Sequence, residues 1–94
     1  MKKYETVFLK RPSIDSEERE KIISEVKDII LNNDGSINEE DNWGKKQLAY
    51  DIKNESEAYY YLIEFDGNSK ILDNLNEYYN LSEDIIRTII VRKG

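Results

Sequence analysis

One segment limits the fold more than any other. From Ala58 to Phe65 the chain runs Ala-Tyr-Tyr-Tyr-Leu-Ile-Glu-Phe, aromatic and aliphatic with no charge until Glu64. That is the profile of a central strand covered on both faces, not of a half-exposed edge. A chain of 94 residues buries only roughly 60 to 65% of its unfolded surface in a single core. Such a strand therefore has to be shared by everything else the chain builds, and one domain over residues 1–94 is expected.

The flanking segments supply the partners. Residues 3–10 alternate as a strand, and Pro12 ends it. Asp15 and Glu18 have capping-box spacing ahead of a helix over 17–32, whose stripe is Ile22, Ile23, Val26, Ile29 and Ile30. Asn33-Asp34-Gly35 supplies the stop, with Gly35 expected in the left-handed region. Within 36–53, Leu48, Tyr50 and Ile52 alternate as a strand, Gly44 marks a bulge or kink, and 54–57 reads as a polar turn. Asp66-Gly67-Asn68-Ser69 opens a second helix with the stripe Ile71, Leu72, Leu75, Tyr78 and Tyr79, and Ile85 to Arg92 is the last strand.

The order strand, helix, strand, strand, helix, strand predicts an α+β, ferredoxin-like split βαβ fold. Two right-handed crossovers place both helices on one face of a four-stranded antiparallel sheet, leaving the other face uncovered by the chain. Strict alternation then sends Thr6, Phe8, Tyr61, Ile63, Phe65, Ile89 and Val91 to the helices. Val7, Leu9, Tyr60, Leu62 and Ile90 go to the open face, and so many apolar groups there predict a partner.

Composition removes much chemistry. With no Cys and no His there is no thiolate nucleophile, disulfide, imidazole base or His- or Cys-ligated metal. Carboxylate runs such as Glu39-Glu40-Asp41 lack the ligand periodicity of a calcium loop, and the four Gly residues are scattered, so no phosphate loop exists. No catalytic residue, metal site or cofactor is expected. No stretch approaches the roughly 20 apolar residues of a membrane span, and no signal or transit segment precedes the first strand. The reading is a cytoplasmic protein with no membrane partner and no small-molecule substrate.

The net charge is −6, but it is unevenly spread. Residues 1–11, 44–53 and 85–94 together carry +8, which leaves −14 on the rest, chiefly the helices and the 38–42 segment. A basic sheet can meet phosphates, although lysines at strand ends also serve solubility and edge protection. The Tyr59-Tyr60-Tyr61 run is a poor base-stacking platform, because alternate residues point to opposite faces and Glu57 stands beside it.

The start Met-Lys-Lys-Tyr-Glu, the block Trp43-Gly44-Lys45-Lys46-Gln47-Leu48-Ala49-Tyr50-Asp51-Ile52 and the close Ile86-Arg87-Thr88-Ile89-Ile90-Val91-Arg92 resemble the bacterial small-subunit ribosomal protein six family along the whole chain. The resemblance implies a non-enzymatic ribosomal component. It also implies binding to the central domain of small-subunit ribosomal RNA, as a heterodimer with small-subunit protein eighteen. Carried over by position, RNA contacts fall on Lys2, Lys3, Tyr4, Lys45, Lys46 and Arg87, and charge adds Arg92 and Lys93. The partner interface is expected at Val7, Leu9, Tyr60, Leu62 and Ile90. Asp51 stands where the family usually has Pro, and Lys replaces Arg in the central block, which loses bidentate phosphate recognition. Two rivals share the fold. One is a self-associating regulatory domain that binds a small ligand on the open sheet. The other is an acylphosphatase-like enzyme, for which the 10–14 loop has an Arg but no Gly.

Overall fold

The computed structural model describes residues 1–93. The elements follow the expected order: β1 (Lys2–Lys10), α1 (Ser16–Leu31), β2 (Ser36–Ile52), β3 (Glu55–Gly67), α2 (Ser69–Leu81) and β4 (Ile85–Lys93). The strands form one antiparallel sheet in the order β2-β3-β1-β4, so β1 and β3 are central.

Both helices begin on side-chain caps. The Asp15 carboxylate accepts the Glu18 N–H at 2.9 Å, and Glu17 and Glu18 place negative charge in the first turn of α1, where the helix dipole favours it. Asn68 accepts the Ile71 N–H at 3.0 Å and donates its amide to the Asn33 carbonyl at 3.2 Å, so one side chain starts α2 and fastens it to the end of α1. The expected left-handed residue after α1 is shifted by one position. Asp34 has φ 70°, and Gly35 is needed for a different reason. A β-carbon on Gly35 would lie 2.7 Å from Ile71 Cδ1, 2.8 Å from the Ile30 carbonyl oxygen and 2.9 Å from that of Asp66, with no room for backbone to move.

The helices bury Ile22, Ile23, Val26, Ile30, Ile71, Leu75 and Tyr79 against Tyr4, Phe8, Ile63, Phe65 and Ile85 of the sheet. Phe8 sits between Tyr61 and Tyr79, with centroids 5.7 and 5.8 Å away, and Tyr4 stacks on Phe65 at 5.7 Å. Within this layer the Tyr79 hydroxyl and Thr6 Oγ1 form a buried hydrogen bond of 2.8 Å, which satisfies both groups and fixes α2 on β1.

Two of the sheet's β-bulges change which side chains reach the groove face. Leu9 pairs with Arg87 but Lys10 pairs with Ile85, so β4 carries one extra residue at Ile86. Beyond that bulge the alternation is inverted relative to a strict count from Ile85. Ile90, opposite Thr6, packs on the helix-side core, whereas Ile89, opposite Val7, faces away from the helices and is 47% exposed. The expected placements of Ile89, Val91 and Ile90 are therefore reversed. The second bulge, at Trp43 between the pairs Asn42–Tyr61 and Gly44–Tyr60, uses Gly44 at φ 72° and turns the Trp43 ring onto Tyr60, 6.0 Å between centroids.

At 17 and 13 residues, β2 and β3 outrun the nine of β1 and β4. Their hairpin closes at Lys53 and Asn54, both at positive φ (50° and 66°), the signature of a two-residue type I′ turn. The turn is tighter than the polar stretch 54–57 expected, and β3 starts at Glu55. The overhanging end folds back across the sheet. Leu48 and Ile52 pack on a second cluster of Val7, Leu9, Ala58 and Ile86, so the chain roofs part of the face expected to be bare.

Lys10 ends β1 on the helix side, only 2% exposed, with its Nζ 5.3 Å from the Phe8 ring centroid and 5.0 Å from that of Tyr61. It has no ion-pair partner among the described residues. Burial, and secondarily the nearby Arg19 cation, push its pKa down to about 8, against partial compensation from Glu20. The unfolded chain therefore binds more protons than the native one between about pH 8 and 10.5, and this group's contribution to stability rises across that window.

Two consequences can be measured. Lys10→Met is expected to raise stability at pH 7 by about 1–3 kcal/mol, since it replaces an unpaired buried charge with an apolar chain of similar length. The gap should narrow by pH 10 in chemical denaturation, and a variant less stable than the parent at pH 7 contradicts the assignment. Gly35→Ala should cost about 1–3 kcal/mol by overpacking, read as a lower denaturation midpoint with unchanged slope.

Candidate partner and RNA interface

Antiparallel pairing lays the non-helix face out in rungs. One rung runs Gly44, Tyr60, Leu9, Arg87; the next runs Asp41, Leu62, Val7, Ile89; a third runs Glu39, Glu64, Glu5, Val91; and the last joins Asp66, Lys3 and Lys93. Directly paired residues share a face, so the chemistry across the sheet can be read off the register. Two apolar rungs at the hairpin end meet an acidic rung, followed by a basic end.

The apolar rungs floor a groove of about 320 Å³ lined by Val7, Leu9, Tyr60 and Ile89, with the Trp43 and Tyr50 rings at its rim. The Tyr50 hydroxyl accepts a hydrogen bond from Arg87 Nη1 at 2.9 Å, bridging the hairpin on one side to β4 on the other. That contact raises the guanidinium pKa further and leaves Arg87 without a carboxylate partner among the described residues. Of the expected interface positions, Val7 and Leu9 lie deep, at 9% and 4% exposure, and Tyr60 and Leu62 are partly covered. Ile90 is on the other face. The groups presented outward are Ile89, Trp43, Tyr50 and Val91. Trp43 and Tyr50 both lie within the 43–52 block that carries part of the family resemblance, but their common face depends on the bulge at Trp43.

The expected RNA contacts divide between the two faces. Lys3, Lys46, Arg87 and Lys93 share the groove face by register, whereas Lys45, opposite Tyr59, and Arg92, opposite Tyr4, belong to the helix side. Lys45 and Lys46 are thus not one cationic point. Tyr4 is 8% exposed inside the helix-side core and has no ring face to offer a base. Lys2 pairs with Gly67 at the same end as Lys3 and Arg92.

Several charges are also spoken for. Lys93 Nζ lies 2.6 Å from Glu64 Oε1 and 3.6 Å from Glu5 Oε1, and its hydrogen bond holds the Glu64 carboxyl below the usual range. Lys45 lies 3.8 Å from Glu57. Lys2, Lys3, Lys46, Arg87 and Arg92 have no carboxylate partner among the described residues. The basic end and the Arg87 rung are roughly 20 Å apart at about 3.3 Å per residue, so the free cations form two stations flanking the groove.

No anion cradle forms in the 10–14 loop. The Arg11 N–H donates to the Asp84 carbonyl at 2.7 Å, and its guanidinium donates to the Glu83 carbonyl at 2.7 Å, with Nε 3.7 Å from Glu55. The one arginine an acylphosphatase-like site would need is committed to tying the loop to β4 and the hairpin. Among the described residues no cluster of acidic side chains could hold a metal, and no helix is long and apolar enough to cross a membrane.

Comparison with known proteins agrees with this geometry. The family described as ribosomal protein S6 matches residues 3–92. The small ribosomal subunit protein bS6 of Clostridium perfringens is 40% identical over 93 residues, covering 99% of this chain and 98% of that protein. The bS6 protein of Thermoanaerobacter pseudethanolicus is 37% identical, covering 98% and 97%. The crystal structure of 30S ribosomal protein S6 from Thermotoga maritima superposes with a TM-score of 0.93 at 32% identity, covering 98% of this chain and 87% of that one. Such proteins are structural parts of the bacterial small ribosomal subunit, a cytoplasmic particle, and not enzymes. With the order of elements, the sheet and the whole length of the sequence in agreement, the chain belongs to the ribosomal protein S6 family.

Proposed function

We propose that this protein binds the central domain of small-subunit ribosomal RNA jointly with small-subunit protein eighteen, and that the groove face is where the partner docks. The observation that carries the reading is an apolar floor of Val7, Leu9, Tyr60 and the half-exposed Ile89 on the sheet face opposite the helices, rimmed by the half-exposed Trp43 and the exposed Tyr50. Buried aromatic and aliphatic anchors inside a polar rim are what a specific interface uses. The acidic rung of Glu39, Glu64 and Glu5 beside it, which stays net negative after Lys93 pairs with Glu64 and Glu5, suits a basic partner, which in turn supplies the cations that a chain of net charge −6 lacks.

RNA phosphates are assigned to the two free stations: Lys2, Lys3 and Arg92 at one end, Lys46 and Arg87 at the other. Lys45 and Lys93 contribute after giving up their carboxylate partners, and Tyr4 supports β1 from within the core. The function is positioning. Phosphate contacts set orientation on the RNA, and the apolar groove fixes the partner against it. The open face serves a different chain better than a second copy in this reading, because two copies would oppose their acidic rungs; sedimentation of the isolated protein as a concentration-independent dimer would count against it.

The single Trp of the chain lies at the groove rim, which makes docking directly observable. Adding a Trp-free form of protein eighteen should shift Trp43 emission to the blue. Ile89→Asp should weaken that complex by about 2–4 kcal/mol, the range of an interface anchor, while Val91→Asp, further along β4, should cost less. An unchanged affinity for Ile89→Asp removes the groove from the interface. In RNA binding by the complex, Lys46→Gln and Arg87→Gln should each reduce the log-log salt slope by about 0.7–0.9; unaltered slopes would move the phosphate contacts elsewhere.

A further inference from the structure

The sheet's helix side holds a second feature that the ribosomal role does not use. Lys10 lines a small, partly open cleft of about 130 Å³ together with Ser16, Arg19 and Glu20 of α1, Asn42 of β2 and Tyr59 of β3. Its Nζ lies against the Phe8 and Tyr61 rings, and it has no ion-pair partner among the described residues. Arg19 enters from above. Its guanidinium stacks on Tyr59 at 3.9 Å from the centroid and donates through Nη1 to the Ile14 carbonyl at 2.7 Å, and it too has no carboxylate partner among the described residues.

We propose that the Lys10 ε-amine is a preferential acylation site, and that small acyl phosphates are the chemical class of donor the cleft takes.

Three properties converge there. The first is a nucleophile that is held almost out of water yet borders a cleft large enough for an acetyl group. The second is an adjacent fixed cation, Arg19, which attracts the donor's phosphate and stabilises negative charge as it develops. The third is the protonation state. A lysine at about pKa 8 holds on the order of 10²-fold more neutral amine at pH 7.5 than one at the ordinary 10.5. The groups facing the amine are Arg19 and Glu20 from α1 and Tyr59 and Tyr61 from β3, with Asn42 from β2 beside them. The Tyr61 hydroxyl donates to Glu40 Oε1 at 2.6 Å. Arg19 opposes the ammonium, Glu20 favours it, and desolvation dominates both.

The step balances without an oxidant or reductant. The neutral amine attacks the carbonyl carbon, a C–N bond forms, and the carbon–oxygen bond to phosphate breaks with its electron pair leaving on inorganic phosphate. The surplus amine proton passes to water. The amide product carries no charge, so acylation relieves the cost of a buried cation, and the modified chain should melt higher than the parent.

The test is a race within the intact wild-type protein. After incubation with acetyl phosphate at pH 7.5, cleavage at glutamates and peptide mass spectrometry give each lysine's rate of acetylation. Lys10 should react about tenfold faster than Lys2, Lys3 or Lys70, its rate levelling off above about pH 8 while the exposed lysines keep accelerating. Arg19→Ala should slow Lys10 alone, because it removes the phosphate's counter-charge and returns part of the amine's basicity. A Lys10 rate at or below that of Lys70 overturns the proposal whatever the Arg19 variant does, as does a Lys10 rate that still climbs at pH 10.

Discussion

β1 has to be satisfied on four sides. It pairs with β3 along one edge and β4 along the other, carries Thr6 and Phe8 into the helix layer with no exposure, and presents Val7 and Leu9 to the opposite face at only 9% and 4%. A nine-residue strand covered this fully cannot slip. A one-residue shift would put Val7 and Leu9 under the helices and expose Phe8 and the Thr6–Tyr79 hydrogen bond. The helices account for one face, and the described residues form no third helix for the other. The long β2–β3 hairpin supplies that cover in part, and where its cover stops the groove begins.

The same geometry explains why an acidic protein can serve an RNA particle. Sequence segments that are basic as wholes are divided by the pleat, so Lys45 and Lys46 separate, Lys10 goes inside, and Lys93 is neutralised by Glu5 and Glu64. What survives as free positive charge is a pair of stations either side of an apolar groove with an acidic band. In the proposed reading that arrangement holds RNA only together with a basic chain that shares the task.

The fold was legible from the sequence because its determinants are local: the two helical stripes, the Asp15 and Asn68 caps, and the uncharged run at 58–63. Val7, Leu9, Tyr60 and Leu62 take the face that alternation predicts because β1 and β3 pair without interruption from Lys2 to Lys10. Ile89, Ile90 and Val91 depart from strict alternation because the bulge at Ile86 inverts it, and nothing in Ile-Ile-Arg-Thr-Ile-Ile distinguishes a bulged strand from a regular one. The return of the hairpin over the sheet was hidden for a related reason. It depends on accumulated twist and on register shifts between Gln47 and Ile52, which no single residue type encodes. The burial of Lys10 has no signal in the sequence, because strand-end lysines are ordinarily solvated.

In the proposed reading this chain and small-subunit protein eighteen bind RNA as one surface, with neither sufficient alone. That reading is tested most directly by titrating a central-domain fragment of small-subunit ribosomal RNA with this protein, with protein eighteen, and with the two mixed, at two salt concentrations. The account predicts tight binding only for the mixture, with a salt slope of about 0.7–0.9 per phosphate contact that exceeds the slopes of the separate proteins. Equal binding by this protein alone, or no binding by the mixture in low salt, would contradict it.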